Sequence, residues 1–227
     1  MRIAVSGTYS SGKTTTSIAL AHLTGLPRTH AKTMREILPI ALPGRRLEDC
    51  TVPELFELGM IRYSERAVHE SHLPDAFISD GSSLHEWVYG KVRTYVGIHP
   101  GREESLNADL TGEMRFFDQV IDSIGNVVKR HAKNAYDVFI HLPIEFDLVT
   151  DGHRPVSERF RSLSDELLLQ SLTDLEIPHH IVGGTVAERL RSITKMLALP
   201  HFMPIDQAID RAEAEIRSLN VADELAR

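Results

Sequence analysis

The residues with the clearest chemical potential lie near the start of the chain. Gly7, Gly12, Lys13 and Thr14 are spaced as G-x-x-x-x-G-K-T within the stretch GTYSSGKT. Small residues let backbone N–H groups curve around a phosphate, and the N-terminus of a following helix adds a positive dipole end. The pattern follows the apolar run RIAVS and precedes a segment with helical periodicity, which is the context typical of a P-loop. The sequence therefore predicts a site for a nucleoside triphosphate.

Each residue of this predicted P-loop has an expected role. Lys13 would neutralise the β- and γ-phosphates, and Thr14 would offer a hydroxyl ligand to Mg²⁺. Thr15 would contact the α-phosphate through its hydroxyl or N–H group. The rest of the loop would surround the phosphates mainly through its backbone, at Gly7, Tyr9, Ser10, Ser11 and Gly12. The sequence lacks the Asn-Lys-x-Asp motif that reads guanine, which favours ATP over GTP.

One acidic residue, Asp80, follows a second predicted strand, AFIS. Ligands of open α/β sheets bind beyond the carboxyl ends of the strands, where Asp80 is placed. Its carboxylate could hold Mg²⁺ or accept the proton of an acceptor hydroxyl group. Alternatively, Asp80 caps the helix that follows, and the two roles are compatible.

A charged segment, DGHRPVSERFR, follows a third predicted strand. Arg154, Arg159 and Arg161 could close over a transferring phosphoryl group and neutralise its oxygens. The alternative is a charged surface loop held by local ion pairs, and the charge pattern alone does not decide between the two.

Short apolar runs alternate with helical segments along the whole chain, which predicts an α/β fold with a parallel sheet covered by helices on both faces. An amphipathic segment, residues 205–219, ends the pattern. It could engage a protein partner, but packing on the chain's own sheet or on a second copy, as in a homodimer, is the commoner use of such a stripe.

The composition excludes several classes of protein. The formal net charge is −7 and no basic stripe is visible, so a nucleic-acid partner is not expected. Cys50 is the only cysteine, which rules out an intrachain disulfide and fits a reducing compartment. No signal peptide is visible, and the apolar runs are shorter than the roughly 20 residues of a membrane span. We therefore expect a cytoplasmic protein without a membrane partner.

Four segments occur in an order that resembles a known family: GTYSSGKTT, MRE, FISDGSSLHEWVYG and DGHRP. The chain is similar to the P-loop small-molecule kinases grouped with the nicotinamide-riboside kinase domain of bacterial NAD-salvage proteins, which have an AAA-type ATP-binding domain. It more distantly resembles nucleoside and nucleotide kinases. The resemblance covers about residues 1–198 and implies a P-loop NTPase three-layer sandwich with strand order 2-3-1-4-5. The strand that periodicity does not reveal should lie near residues 26–31.

The resemblance also implies site residues. Arg35 and Glu36 would face the acceptor, Asp80 would be the acidic residue at the strand end, and Glu36 or Asp80 would act as the base. Asp151, Gly152 and Arg154 would form a lid, within a loop of about residues 144–162. The turn at Gly183, Gly184 and Thr185 would lie near the adenine.

Two regions depart from the family. An insertion at about residues 93–109 has no counterpart and is expected to cover the acceptor site. His85, Glu86, Trp87 and Tyr89 follow Asp80 and could line that site, although core packing is the commoner fate of a tryptophan. Residues 199–227 are expected to form a separate helical tail.

Two functions follow from these residues. The first is an ATP- and Mg²⁺-dependent kinase that phosphorylates a small nucleoside- or nucleotide-like metabolite, with Lys13 and Arg154 stabilising the developing charge. The second is a nucleotide-binding regulatory or assembly ATPase that acts through a protein partner.

Overall fold

The sheet has five parallel strands. In the computed structural model of the chain, the described residues are 1–29, 32, 34–99, 112–147 and 157–225, with side chains described as far as residue 218, that of Arg35 excepted. The strands are β1 (Arg2–Ser6), β2 (Arg28–Thr29), β3 (Phe77–Asp80), β4 (Val138–His141) and β5 (His179–Ile181). They are arranged in the order β2-β3-β1-β4-β5, and every pairing is parallel. The predicted α/β fold and strand order are confirmed.

Helices connect the strands and cover both faces of the sheet. They are α1 (Lys13–Thr24), α2 (Met34–Ala41), α3 (Val52–Ser71), α4 (Leu84–Val96), α5 (Gly112–Ala135), α6 (Glu158–Asp174), α7 (Val186–Met196) and α8 (Ile205–Leu225). A single turn of 3₁₀ helix, Leu47–Asp49, lies between α2 and α3.

The two largest hydrophobic clusters among the described residues lie one on each face of the sheet, and a small third one is built on Ile37, Cys50 and Leu58. In β1, Ile3 and Val5 join a cluster with α1, α7 and α8, whereas Ala4 joins a cluster with α4, α5 and α6. This alternation follows from the two-residue period of a strand, and both faces are buried because parallel sheets are covered on both sides. The molecule is therefore the expected three-layer sandwich.

The C-terminal helix α8 packs on the chain's own P-loop helix, α1. Ala208 and Ala212 are fully buried in the cluster on that face, and Ile205, Ile209 and Ile216 pack against it. The predicted apolar stripe is therefore in contact with the same chain as far as Ile216. A homodimer and a separate status for residues 199–227 stay predictions. Among the described helices, none is both long enough and apolar enough to cross a membrane.

Two helices begin with a reciprocal cap that fixes their first residues. Thr51 and Glu54 form a capping box at α3, and Thr185 and Glu188 form one at α7. In each, the threonine hydroxyl accepts a backbone N–H bond and the glutamate accepts one in return. The cap of α7 places Arg189 in the first turns of that helix, close to the carboxyl edge of the sheet.

Candidate active site

The P-loop connects β1 to α1 and has the backbone geometry of a phosphate cradle. Gly7 and Gly12 have φ of +136° and +83°, and Ser10 also lies at positive φ, +58°. A Cβ atom at Gly7 would lie 2.5 Å from the carbonyl oxygen of Leu142. Glycine is therefore required at this position, both by the backbone angle and by the close approach of Leu142, the residue that follows β4.

The polar side chains of the P-loop are ordered by bonds within the loop. Ser11 Oγ donates to the Thr8 carbonyl at 3.0 Å, and Lys13 Nζ donates to the same carbonyl at 2.5 Å. Thr14 is exposed in the first turn of α1, and Thr15 beside it is half-buried. The lysine and the threonine hydroxyl thus lie at the N-terminus of α1, where a phosphate and its cation would be bound.

Asp80 lies beside the P-loop at the carboxyl end of β3. It pairs with Val5 in the register of β1 and β3, and the next residue, Gly81, donates its N–H to the Val5 carbonyl at 2.9 Å. The helix that follows begins at Leu84 with Ser83 at the N-cap position, so Asp80 does not occupy the cap. The metal or base role of Asp80 stays a prediction.

A buried polar network lies beneath Asp80. Arg66 Nη1 donates to the Asp80 carbonyl at 3.1 Å and to Ser79 Oγ at 2.9 Å, and the Tyr136 hydroxyl donates to Glu70 Oε2 at 2.8 Å. Burial, followed by the Glu70 charge, raises the pKa of Tyr136, so the phenol stays protonated and remains a donor. The network holds the backbone of Asp80 from the protein interior, without using its carboxylate.

His85 contacts the P-loop from the protein interior. Its side chain is 3 % exposed, and Nε2–H donates to the Gly7 carbonyl at 3.0 Å while Nδ1 accepts the Ser82 N–H at 3.0 Å. Burial lowers the pKa of His85 well below its usual value, and the charges of Lys13 and Arg66 lower it further. His85 was predicted to contact the acceptor, but both ring nitrogens are engaged by backbone groups, and this placement favours a supporting role.

The lowered pKa of His85 predicts a specific pH dependence of stability. The folded chain keeps this imidazole neutral, whereas the unfolded chain binds a proton below pH of about 6.5. The free energy of unfolding should therefore fall as the pH drops below about 6.5, by up to about 1.4 kcal/mol per pH unit from this residue. His85→Gln should show a smaller loss between about pH 7.5 and pH 5 in urea denaturation. The exposed His180→Gln is the matched control, and equal losses in wild type and His85→Gln would contradict the assignment.

An aromatic pocket opens next to the P-loop, between α3, α4 and α5. Six aromatic side chains line it: Tyr9, Phe56, Tyr63, Trp87, Tyr89 and Phe117. Tyr9 belongs to the P-loop, and its ring stacks on that of Tyr89 with centroids 4.8 Å apart. Concave sites with mostly apolar walls and a few polar groups are typical of small-molecule binding. We refer to this cavity as the aromatic pocket.

One ion pair lies in the wall of the aromatic pocket. Arg62 Nε is 3.2 Å from Glu86 Oε1, and the Glu86 side chain is 6 % exposed. Burial alone would lower the pKa of Arg62, but the Glu86 carboxylate, with smaller contributions that include Asp80, raises it. Neither Arg62 Nε nor Glu86 Oε1 has a hydrogen bond of good geometry among the described residues. Buried polar atoms whose only partner is an ion pair of this kind are uncommon in folded proteins.

Trp87 forms part of the pocket wall and of the core at once. The side chain is 5 % exposed, and Lys129 Nζ lies 4.0 Å from its ring centroid. A Cβ atom at Gly125 would lie 2.5 Å from Trp87 Nε1, so glycine in α5 makes room for the indole. The two expectations for Trp87, core packing and lining the acceptor site, are compatible in this position.

Helix α2 closes the pocket from one side. Met34 lines the aromatic pocket, and Glu36 is half-buried in the first turn of α2. Arg35 lies in the same turn. The predicted acceptor-facing role of Arg35 and Glu36 stays a prediction.

Comparison with protein families agrees with the P-loop geometry described above. The family model that matches is described as an AAA domain, and it covers residues 2–189. The chain belongs to this family. Comparison with curated protein sequences gave no significant match.

Solved structures of deoxyadenosine kinase from M. mycoides share the fold of this AAA domain. The structure with the products dCMP and a flexible dCDP has a TM-score of 0.59 and 16 % identity, covering 87 % of this chain and 98 % of that chain. The structure with bound dCTP has a TM-score of 0.57 and 18 % identity, covering 87 % and 99 %. The structure with bound dATP has a TM-score of 0.58 and 16 % identity, covering 87 % and 100 %.

The predicted lid of the AAA domain falls partly outside the described residues. Asp151, Gly152 and Arg154 lie outside them, whereas Arg159 is exposed in the first turn of α6. Arg161, two residues further along α6, is 1 % exposed, and its Nε donates to the Tyr9 carbonyl at 2.9 Å. Arg161 is therefore buried and anchored to the P-loop backbone, and the closing of the arginines over a phosphoryl group stays a prediction.

The turn that the family resemblance predicts to lie near the adenine is the loop of residues 183–185, between β5 and α7, and we refer to it as the base-side turn. The N–H of Gly184, a residue predicted to bind the cofactor, donates to both carboxylate oxygens of Glu145, each at 2.9 Å. Glu145 in turn pairs with Arg189 at 2.8 Å. Sequence analysis did not identify Glu145 or Arg189 as functional residues, since neither belongs to a motif and their contacts are long-range.

Proposed function

We propose that the chain is a P-loop phosphotransferase that moves the γ-phosphoryl group of ATP, with Mg²⁺, to a small nucleoside- or nucleotide-like metabolite. The observation that carries this proposal is a residue shared by the phosphate-binding loop and the aromatic pocket. Tyr9 belongs to the phosphate-binding loop and also lines the aromatic pocket, which contains the Arg62–Glu86 pair. A phosphate bound to the loop would thus lie beside a pocket suited to a flat polar ring. The shared fold with deoxyadenosine kinase supports this class of acceptor.

The donor site is formed by the P-loop and the end of β3. Lys13 would bind the β- and γ-phosphates, and backbone N–H groups of the loop would surround them. The Thr14 hydroxyl and the Asp80 carboxylate are oxygen donors, which is the ligand type that Mg²⁺ prefers. When bound, Mg²⁺ would neutralise charge on the β- and γ-phosphate oxygens.

The acceptor would react from the aromatic pocket. Its hydroxyl oxygen forms a new bond to the γ-phosphorus, and the bond from that phosphorus to the β–γ bridging oxygen breaks, which releases ADP. The hydroxyl proton goes to a carboxylate, for which Asp80 and Glu36 are the two candidates. Where the acceptor is already a phosphate, its oxygen is the nucleophile and no proton transfer is needed.

The test is the release of ADP from Mg²⁺-ATP with a panel of nucleosides, nucleotides and nicotinamide riboside, followed by mass spectrometry of each mixture. A product heavier by one phosphoryl group, formed in proportion to the ADP released, is the expected result. Slow ADP release that does not depend on any small molecule would contradict the proposal and favour the regulatory ATPase.

A further inference from the structure

Arg189 connects the P-loop to the base-side turn through its own buried side chain and through Glu145, whose side chain is 32 % exposed. The side chain is 1 % exposed, Nη1 donates to the Ser11 carbonyl at 2.8 Å, and Nη2 donates to Glu145 Oε2 at 2.8 Å. A buried guanidinium needs such partners because an unpaired buried charge is costly. Its planar fork allows it to bind both at once.

Glu145 extends this connection to the base-side turn. The bond from Arg189, and then the bond from the Gly184 N–H, lower the pKa of Glu145, so the carboxylate is ionised at neutral pH. Both of its oxygens lie 2.9 Å from the Gly184 nitrogen. One chain of charge-assisted bonds therefore runs from the Ser11 carbonyl through Arg189 and Glu145 to Gly184.

The bond from Arg189 to the Ser11 carbonyl constrains the Gly12 N–H, a backbone donor that a bound phosphate would use. In a trans peptide the C=O and the following N–H point in opposite directions. With the Ser11 carbonyl turned towards Arg189, the Gly12 N–H is turned away from it. A Cβ atom at residue 12 would lie 2.9 Å from Arg189 Nη1, so glycine is also what allows the guanidinium to approach.

We infer that Arg189 and Glu145 are positioning residues of the donor site. Arg189 orients the P-loop peptide that presents an N–H to the phosphates, and Glu145 holds the base-side turn at a fixed spacing from it. The triphosphate and the base are then recognised by two surfaces that are already aligned, which lowers the ordering cost of binding ATP. This inference rests on the proposed function, because it assumes that ATP occupies both surfaces.

The two residues can be separated by comparing ATP with inorganic triphosphate, which lacks the base. Dissociation constants for both are measured by calorimetry, with Mg²⁺, on the full chain. Arg189→Met should weaken both ligands about tenfold or more, as expected for the loss of a charge-assisted bond. Glu145→Gln leaves the Arg189–Ser11 bond in place, so it should weaken ATP by about threefold to tenfold and leave triphosphate unchanged.

Arg191→Met is the matched control, since Arg191 is exposed two residues further along α7. It should bind both ligands like the wild type. A purely structural role would lower the melting temperature without changing the ratio of the two affinities, and that result for Glu145→Gln would overturn the inference. Glu145→Gln also decides the question if Arg189→Met does not fold. The wild type could bind ATP, and the two variants could show these shifts, while no acceptor is phosphorylated. That outcome would contradict the proposed function and leave the inference supported.

Discussion

Lys13→Ala is expected to abolish phosphoryl transfer while leaving the fold intact. The ammonium group lies at the N-terminus of α1, where its Nζ donates to the Thr8 carbonyl of the P-loop. In the transition state it would neutralise the charge that develops on the β- and γ-phosphate oxygens, which alanine cannot do. Removing one such group costs about 3–4 kcal/mol, so turnover should fall by at least about 10²- to 10³-fold.

The measurement is the ADP release rate with a productive acceptor, together with the melting temperature. The matched control is Lys195→Ala, which removes an exposed lysine of α7. It should leave both quantities unchanged. Normal turnover of Lys13→Ala with a normal melting temperature would contradict the assignment of the P-loop as the donor site.

The parts of the site that are formed by residues consecutive in the chain could be predicted from the sequence. The P-loop is encoded within eight consecutive residues, 7–14, and the elements on either side of it are fixed by apolar periodicity. Strand β2 shows the limit of that method, because it is only two residues long, Arg28–Thr29, and has no apolar run. Its place near residues 26–31 came from the family resemblance instead.

Side-chain direction within α4 could not be predicted, because the position of a residue after Asp80 does not tell which face of the helix it occupies. Glu86, Gly90 and Arg93 are spaced at i, i+4 and i+7 and line the aromatic pocket, whereas His85 contacts the P-loop backbone. Neighbouring residues on a helix point about 100° apart, so a short segment serves two different surfaces.

The contacts that support the P-loop could not be predicted for a different reason. Arg161 and Arg189 reach the carbonyls of Tyr9 and Ser11 from 152 and 178 residues away. Nothing local in the sequence distinguishes these arginines from exposed ones such as Arg191. Only the order of the strands, which brings α6 and α7 to the same edge of the sheet as the P-loop, places them there.

Asp80→Asn is expected to lower turnover by about 10²- to 10³-fold, with a much smaller effect on ATP binding. The substitution keeps the shape of the side chain, and the bond from Arg66 goes to the backbone carbonyl of residue 80, so the buried network should survive. What is lost is the negative charge that holds Mg²⁺ or accepts the acceptor's proton. The melting temperature should therefore stay close to that of the wild type.

Two readouts separate the roles of Asp80. If the carboxylate holds Mg²⁺, the Mg²⁺ concentration needed for half-maximal activity should rise in Asp80→Asn. If it acts as the base, turnover should fall in Asp80→Asn while the Mg²⁺ concentration needed for half-maximal activity stays that of the wild type. The exposed Asp75→Asn, placed just before the same strand, is the matched control and should change neither readout. A variant at position 80 that only melts earlier, with normal turnover and normal Mg²⁺ dependence, would show that Asp80 stabilises the loop after β3 and that the chemistry depends on another carboxylate, with Glu36 the next residue to replace.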